Sequence, residues 1–170
     1  MPWSSLRDGD VVATGAGPLT VLHTPGHAPD HLTLWHPESR TLFVGDMLVL
    51  GSSVVIPASG GGSLSAYLAS LRRMRELQPL RALPAHGPII ENPIAVIDQY
   101  LAHRAQRELQ VLEALARHDD TVDAITTRIY PTLIEALVPM ARESVLAHLR
   151  KLEDDGRVNE DDGRWLITTT

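Results

Sequence analysis

At Asn92-Pro93 the character of the chain changes. Before it, short β-branched and apolar runs alternate with Gly, Pro and polar turn signals. After it, apolar residues recur at three- and four-residue spacing until a final strand-turn-strand. Neither an all-β nor an all-helical body accommodates both patterns, so the chain must join a sheet-bearing module to a helical one. Its 170 residues suffice for one ordinary domain or two small ones. The pattern divides it at 1–92, a connecting helix over 93–118, and a second module over 119–170.

In the first module, Val11-Val12-Ala13-Thr14 and Leu19-Thr20-Val21-Leu22-His23 flank a glycine turn and predict a hairpin. Two further strands are expected at His31–His36 and Thr41–Val44, the latter running into Gly45-Asp46. Ser63 is a natural N-cap for an amphipathic helix bearing Leu64, Tyr67, Leu68, Leu71, Met74 and Leu77, with Pro79 beyond its end. The stretch Leu80–Pro84 then supplies a strand, and strand, helix, strand in that order implies a crossover onto one sheet. Asn92 with Pro93 opens the connecting helix, whose apolar side is read as Ile94, Ile97, Leu101, Ala105, Leu109, Leu112 and Leu115. Three short helical segments follow, 121–130, 131–138 and 141–155. Gly156 closes the last, and a hairpin turns at Asn159–Gly163, which is the outline of a winged helix.

Composition removes several classes of function. With no cysteine there is no disulfide framework, thiolate metal site or cysteine nucleophile, so any metal must be held by histidine and carboxylate. A net charge of −6 disfavours a protein whose main task is coating phosphate backbones. No apolar run approaches the roughly 18 residues of a membrane span, and the start of the chain lacks a charged-then-apolar leader, so a soluble cytoplasmic protein is expected.

His23, His27 and His31 are spaced in fours, which would stack them on one helical face, but Pro25, Gly26 and Pro29 forbid that helix. His27 therefore projects from a loop, where its ring is not committed to a sheet face. Asp46 follows one apolar run and His86 follows another, and both sit at strand ends. In open α/β sheets the crevice beyond the carboxyl ends of the strands is where ligands bind, so His27, Asp46 and His86 can converge there. Two imidazoles and a carboxylate suit zinc or manganese. The alternative is that each is an ordinary turn or loop residue.

His23-Thr24-Pro25-Gly26-His27 with Asp30-His31, then Phe43-Val44-Gly45-Asp46, then Pro84-Ala85-His86-Gly87-Pro88, resembles the second half of the metallo-β-lactamase superfamily. The later helices and hairpin resemble the β-lactamase-like hydrolases that carry a C-terminal winged helix. The fold so implied is α/β, half of an αββα sandwich, followed by an α+β winged helix. The resemblance implies that His27 ligates a first metal, Asp46 bridges two, and His86 ligates the second, with Asp30 and His31 supporting them from behind. His23 and His36 are read as strand residues without a ligand role. The activity implied is attack of a metal-activated water on an ester, thioester, amide or phosphodiester bond, with two divalent ions, first of all zinc, in an intact site.

The superfamily's other signature, His-any-His-any-Asp-His, is absent from this chain. Each metal would keep one histidine and a share of Asp46, where catalytic zinc normally has three protein ligands, so reduced or absent occupancy is expected. Half a sandwich also leaves one apolar sheet face bare, to be covered by an upstream segment missing from this chain, by a partner chain or by a second copy; of the chain alone a homo-oligomer is expected. In the second module a candidate recognition helix carries Arg142, His148, Arg150 and Lys151, so an oligomerisation or nucleic-acid-binding module is the alternative function, while the resemblance to hydrolases that include enzymes acting on RNA implies RNA beside small molecules as a substrate. Residues 119–170 nonetheless hold eleven acidic and six basic side chains, a net of −5 that repels phosphate. Gly60-Gly61-Gly62 reads as a flexible loop, and Arg72, Arg73 and Arg75 as a solvated helix face.

Overall fold

A computed structural model of the chain describes residues 5–168; the reading of Met1–Ser4 as free of a leader pattern lies outside the described residues. Five strands form one sheet in the order β1 (Val11–Thr14), β2 (Gly17–His23), β3 (Leu32–His36), β4 (Thr41–Gly45) and β5 (Arg81–Pro84). The first four pair antiparallel, and β5 lies parallel to β4, reached through helix α1 (Leu64–Glu76). The crossover expected from strand, helix, strand is thus present, because a parallel neighbour can be reached only by such a connection.

Each helix begins where a side chain satisfies its first free amides. Ser63 caps α1 by accepting from the Ala66 amide, and Asn92 caps α2 (Pro93–Ala116) by accepting from that of Ala95. Thr121 does the same for α3 (Val122–Ile129). A helix α4 (Val138–Asp154) and a hairpin, β6 (Val158–Asp161) with β7 (Arg164–Ile167), complete the second module. The hairpin turns on Asp162 and Gly163 alone, both at positive φ, the geometry that matches strand twist, so the turn is shorter than the five residues expected.

Two expectations about helices are corrected. Residues 131–134 do not form a helix but a turn, followed by a single 3-10 turn over Glu135–Leu137, and α4 starts at Val138 rather than Ala141. Pro131 ends α3, whereas Pro139 falls in the first turn of α4, where its missing N–H costs nothing. On α2 the buried stripe is Ile97, Tyr100, Arg104, Val111, Ala114 and Leu115, while Ala105 is exposed and Leu109 is 66% exposed. Steps of four, from Ile97 to Leu101, Ala105 and Leu109, drift around a helix of 3.6 residues per turn and leave the buried face.

Leu22, Leu42, Val44 and Ala82 on one sheet face pack with Leu64, Tyr67, Leu68, Leu71 and Met74 of α1 and Ile97 and Tyr100 of α2. A second core gathers Val111, Ala114 and Leu115 of α2 with Ile125, Val145, Leu149, Leu152, Val158 and Trp165. Helix α2 therefore serves both cores, and Ala147 of α4 joins the first. Across the opposite sheet face, Val21, Leu34, Phe43 and Leu83 stand in one row by strand register, with Phe43 39% exposed. No described helix is long and apolar enough to cross a membrane.

Candidate metal centre

Strands β2, β4 and β5 run in the same direction, so their carboxyl ends share one rim of the sheet. Asp46 leaves the end of β4 and His86 the end of β5. The His86 Nε2 lies 3.7 Å from Asp46 Oδ1, with the histidine side chain 81% exposed and the carboxylate 43%. A bulge between Phe43 and Gly45 lets the Ala85 amide donate to the Gly45 carbonyl at 2.9 Å, which brings the two strand ends level.

His27 comes to the same rim from the loop after β2. That loop is pressed against α1: the Ser63 amide donates to the Gly26 carbonyl and the Ser70 hydroxyl to the Pro25 carbonyl. Gly26 has φ +145°, and a Cβ there would stand 2.4 Å from the Tyr67 Cα, so only glycine permits the contact. His27 Nδ1 lies 2.9 Å from the Val55 carbonyl. A carbonyl can only accept, so Nδ1 carries the proton and the Nε2 lone pair is left for a ligand.

His31 is used differently. The Asp46 amide donates to its Nε2 at 3.2 Å, so its proton is on Nδ1, 2.9 Å from the Thr24 hydroxyl. Thr24 then donates to Thr33, whose hydroxyl donates to the Met74 sulfur at 3.7 Å. Burial first, then the nearby His27, holds the His31 pKa below its ordinary value, which keeps it neutral and able to accept. Gly45, at φ +51°, makes room: a Cβ there would lie 2.5 Å from His31 Nε2. His31 thus positions Asp46 from behind. Asp30 is exposed and forms no hydrogen bond among the described residues. His23 is tied to the Pro29 carbonyl, and His36 to Ser39 and the Ala16 carbonyl.

The segment after Asp46 is pinned by two tyrosines, Tyr67, which the sequence reading placed on an apolar helix face, and Tyr100, which it missed. Tyr67 donates to the Met47 carbonyl at 2.7 Å. The Tyr100 hydroxyl accepts from the Val49 amide and donates to one of the Val49 and Ser52 carbonyls, 2.9 and 3.0 Å away. Burial pushes both phenols above their ordinary pKa, so they remain donors at neutral pH. Arg104, also missed, sits on the same α2 stripe as Ile97 and Tyr100, and its position seven residues after Ile97 was the available signal.

The donor types at this rim, imidazole and carboxylate, fit a divalent cation, but their number does not complete a cage. Among the described residues no group of three or more His, Asp or Glu side chains is gathered closely enough to hold one. In the second module the candidate recognition helix offers no free basic stripe. Lys151 pairs with Glu108 and Asp155, Arg142 with Asp123, and Arg150 with Glu153, while His148 is fully buried. Arg128, Arg157 and Arg164 are paired with Asp119, Glu108 and Asp120, so all six basic residues of 119–170 face carboxylates. Of the arginines on α1, Arg73 pairs with Asp8 and Arg75 with Asp98.

A single sheet backed by helices on one face, carrying metal-ligand residue types at its carboxyl rim and continuing into a winged helix, defines a β-lactamase-like fold. Residues 2–86 match the model of the Metallo-beta-lactamase superfamily and residues 121–165 that of the Beta-lactamase associated winged helix domain. The chain belongs to the metallo-beta-lactamase superfamily. It is 33% identical over 152 residues to a Beta-lactamase-like protein 2 homolog of Caenorhabditis elegans, covering 89% of this chain and 50% of that protein. It is 33% identical over 164 residues to an atrochrysone carboxyl ACP thioesterase of Paecilomyces divaricatus, covering 90% and 50%. A solved beta-lactamase domain protein from Burkholderia ambifaria superposes with a TM-score of 0.81 at 27% identity, over 98% of this chain and 53% of its own. The chain therefore spans about half the length of the curated relatives it matches.

Proposed function

We propose that this chain contributes part of a hydrolytic metal centre, in which His27, Asp46 and His86 hold divalent metal together with ligands supplied by additional polypeptide. The reading rests on one observation: Asp46 and His86, remote in sequence, meet 3.7 Å apart at the carboxyl rim of the sheet, where β2, the strand before the His27 loop, also ends. A metal at such a rim supplies a water acidic enough to attack at neutral pH and polarises the bond attacked. This chain's own share is to aim His27 through Val55, to seat Asp46 on His31, and to fix the segment beyond it with Tyr67 and Tyr100. Zinc is the first ion to test. Among ester, thioester, amide and phosphodiester bonds the thioester is favoured, because relatives matched over nine tenths of this chain are named as thioesterases.

Elemental analysis of the purified chain after incubation with zinc, manganese or iron tests the site. Substoichiometric metal that falls further in both His27→Ala and Asp46→Ala is expected. Unchanged content in the two variants removes the site.

The row Leu34, Phe43 and Leu83 is proposed as the surface on which the chain meets a second copy of itself; Val21, at the end of the row, is already buried within the chain. Apolar area on a sheet face is stabilised by cover at about 25 cal/mol per Å².

A further inference from the structure

Between α2 and the segment leading into α4 lies a cleft of about 300 Å³ whose walls carry Ser53, His103, Arg104, Arg107 and Ser144 and no carboxylate. Arg104 is 2% exposed. Its Nη2 donates to the Ser53 hydroxyl and the Val54 carbonyl, but its buried Nε has no partner, and neither has the buried Nε of Arg107. Neither guanidinium forms an ion pair with any described carboxylate, although ten of the chain's other basic residues do. Glu108 and Glu143, each next in sequence to a residue of the cleft wall, are committed elsewhere: Glu108 to Lys151 and Arg157, and Glu143 to the Ser59 amide and hydroxyl at 3.0 and 2.6 Å. Arg107 is held over the Tyr130 ring at 4.3 Å, which fixes its direction without neutralising it.

Two unneutralised guanidiniums side by side, one of them buried, are a standing electrostatic cost unless an anion sits between them. Burial lowers the Arg104 pKa, with the Arg107 charge adding to it, and His148 behind them is held neutral by burial and by the fields of Arg104, Arg107, His103 and Lys151.

We propose that this cleft binds a single phosphate group carried by a small molecule, with Arg104 and Arg107 as its charge partners and Ser53, Ser144 and His103 as further donors. The hydroxyls and the planar guanidinium forks match tetrahedral oxyanions. A small molecule is favoured over RNA because the surrounding surface offers no track for further phosphates: every basic residue of 119–170 is already paired. Apolar walls at Leu133, Leu137 and Met140 suit the uncharged remainder of such a ligand. The cleft and the His27 contact share one segment of chain: Ser53 accepts from Arg104 in the cleft wall, and the Val55 carbonyl accepts from His27. The phosphate site stands independently of whether the carboxyl rim holds metal.

The test is titration of the full chain with inorganic phosphate, followed by amide shifts in NMR spectra and by calorimetry at two salt concentrations. Saturable shifts confined to Ser52–Val55, His103–Arg107 and Ser144 are expected. Arg107→Gln should weaken affinity at least tenfold, and added salt should weaken the wild type. Absence of saturable shifts, or shifts centred elsewhere, overturns the site, as does equal affinity in a folded Arg107→Gln. If that variant misfolds, the location of the wild-type shifts decides alone. Phosphopantetheine and a short single-stranded RNA form the remaining arms: the proposal expects displacement of phosphate by the first, and tighter competition by the RNA overturns it.

Discussion

The carboxylate of Asp46 and the imidazole of His86 stand 3.7 Å apart although each belongs to a different strand and α1 intervenes between them in the chain. Parallel pairing of β4 with β5 is what unites them, since only parallel strands end at the same rim. His27 is brought to that rim by a different device, a loop clamped onto α1 through Gly26. The site is therefore as dependent on backbone approach as on the identity of its donors.

Gly26→Ala should be disproportionately costly for so small a change. A methyl group at φ +145° and 2.4 Å from the Tyr67 backbone forces the loop from α1. Loss of about 3 kcal/mol in urea unfolding is expected, with displacement of the His27 ring signals. A loss below about 0.5 kcal/mol would show that the loop can move off α1 freely.

Acid sensitivity should trace in part to His148. Its ring is wholly buried, both nitrogens lack partners, and burial together with Arg104 and Arg107 lowers its pKa from 6.5 to about 3. Between those values the unfolded chain takes up a proton that the folded one refuses. Stability therefore falls as pH drops below 6.5, levels off below about 3, and is unaffected by this group above neutrality. At its steepest the contribution is about 1.4 kcal/mol per pH unit. His148→Leu should flatten the slope of unfolding free energy between about pH 6 and 4; an unaltered slope refutes the assignment.

Self-association should respond to Phe43. The residue is 39% exposed in the middle of an apolar row, and a charge there would have to be desolvated in any face-to-face contact. Sedimentation of the wild-type chain at micromolar concentration should show a dimer or larger species, and Phe43→Lys should shift it toward monomer. A wild-type chain that stays monomeric contradicts the interface.

Much of the architecture was readable from local pattern. Ser63 and Asn92 announced their helices because a side-chain acceptor before an apolar stripe satisfies free amides wherever the helix packs. Alternation located β2, β3 and β4, and the Gly45-Asp46 and Ala85-His86 steps marked strand ends. The reading failed where burial had to be inferred from periodicity alone. Leu109 looked like core and is exposed, whereas Arg104 and His148 looked polar and are buried. His148, seven residues after Ala141, falls on the buried stripe of α4 with Val145, Leu149 and Leu152.

By itself, then, the sequence determined most of the order of elements and the chemical types at the strand ends, because these follow from local sterics, capping and alternation. Tertiary structure alone decided which partners those groups found: His31 behind Asp46, Val55 on His27, and all six basic residues of the winged helix paired with acids. Arg150 with Glu153 is a local pair within α4. The contacts of His31 with Asp46 and of His27 with Val55, and the pairing of Lys151 and Arg157 with Glu108 and of Arg164 with Asp120, join segments far apart in the chain, so no local preference encodes them and they arise only once those segments have packed together.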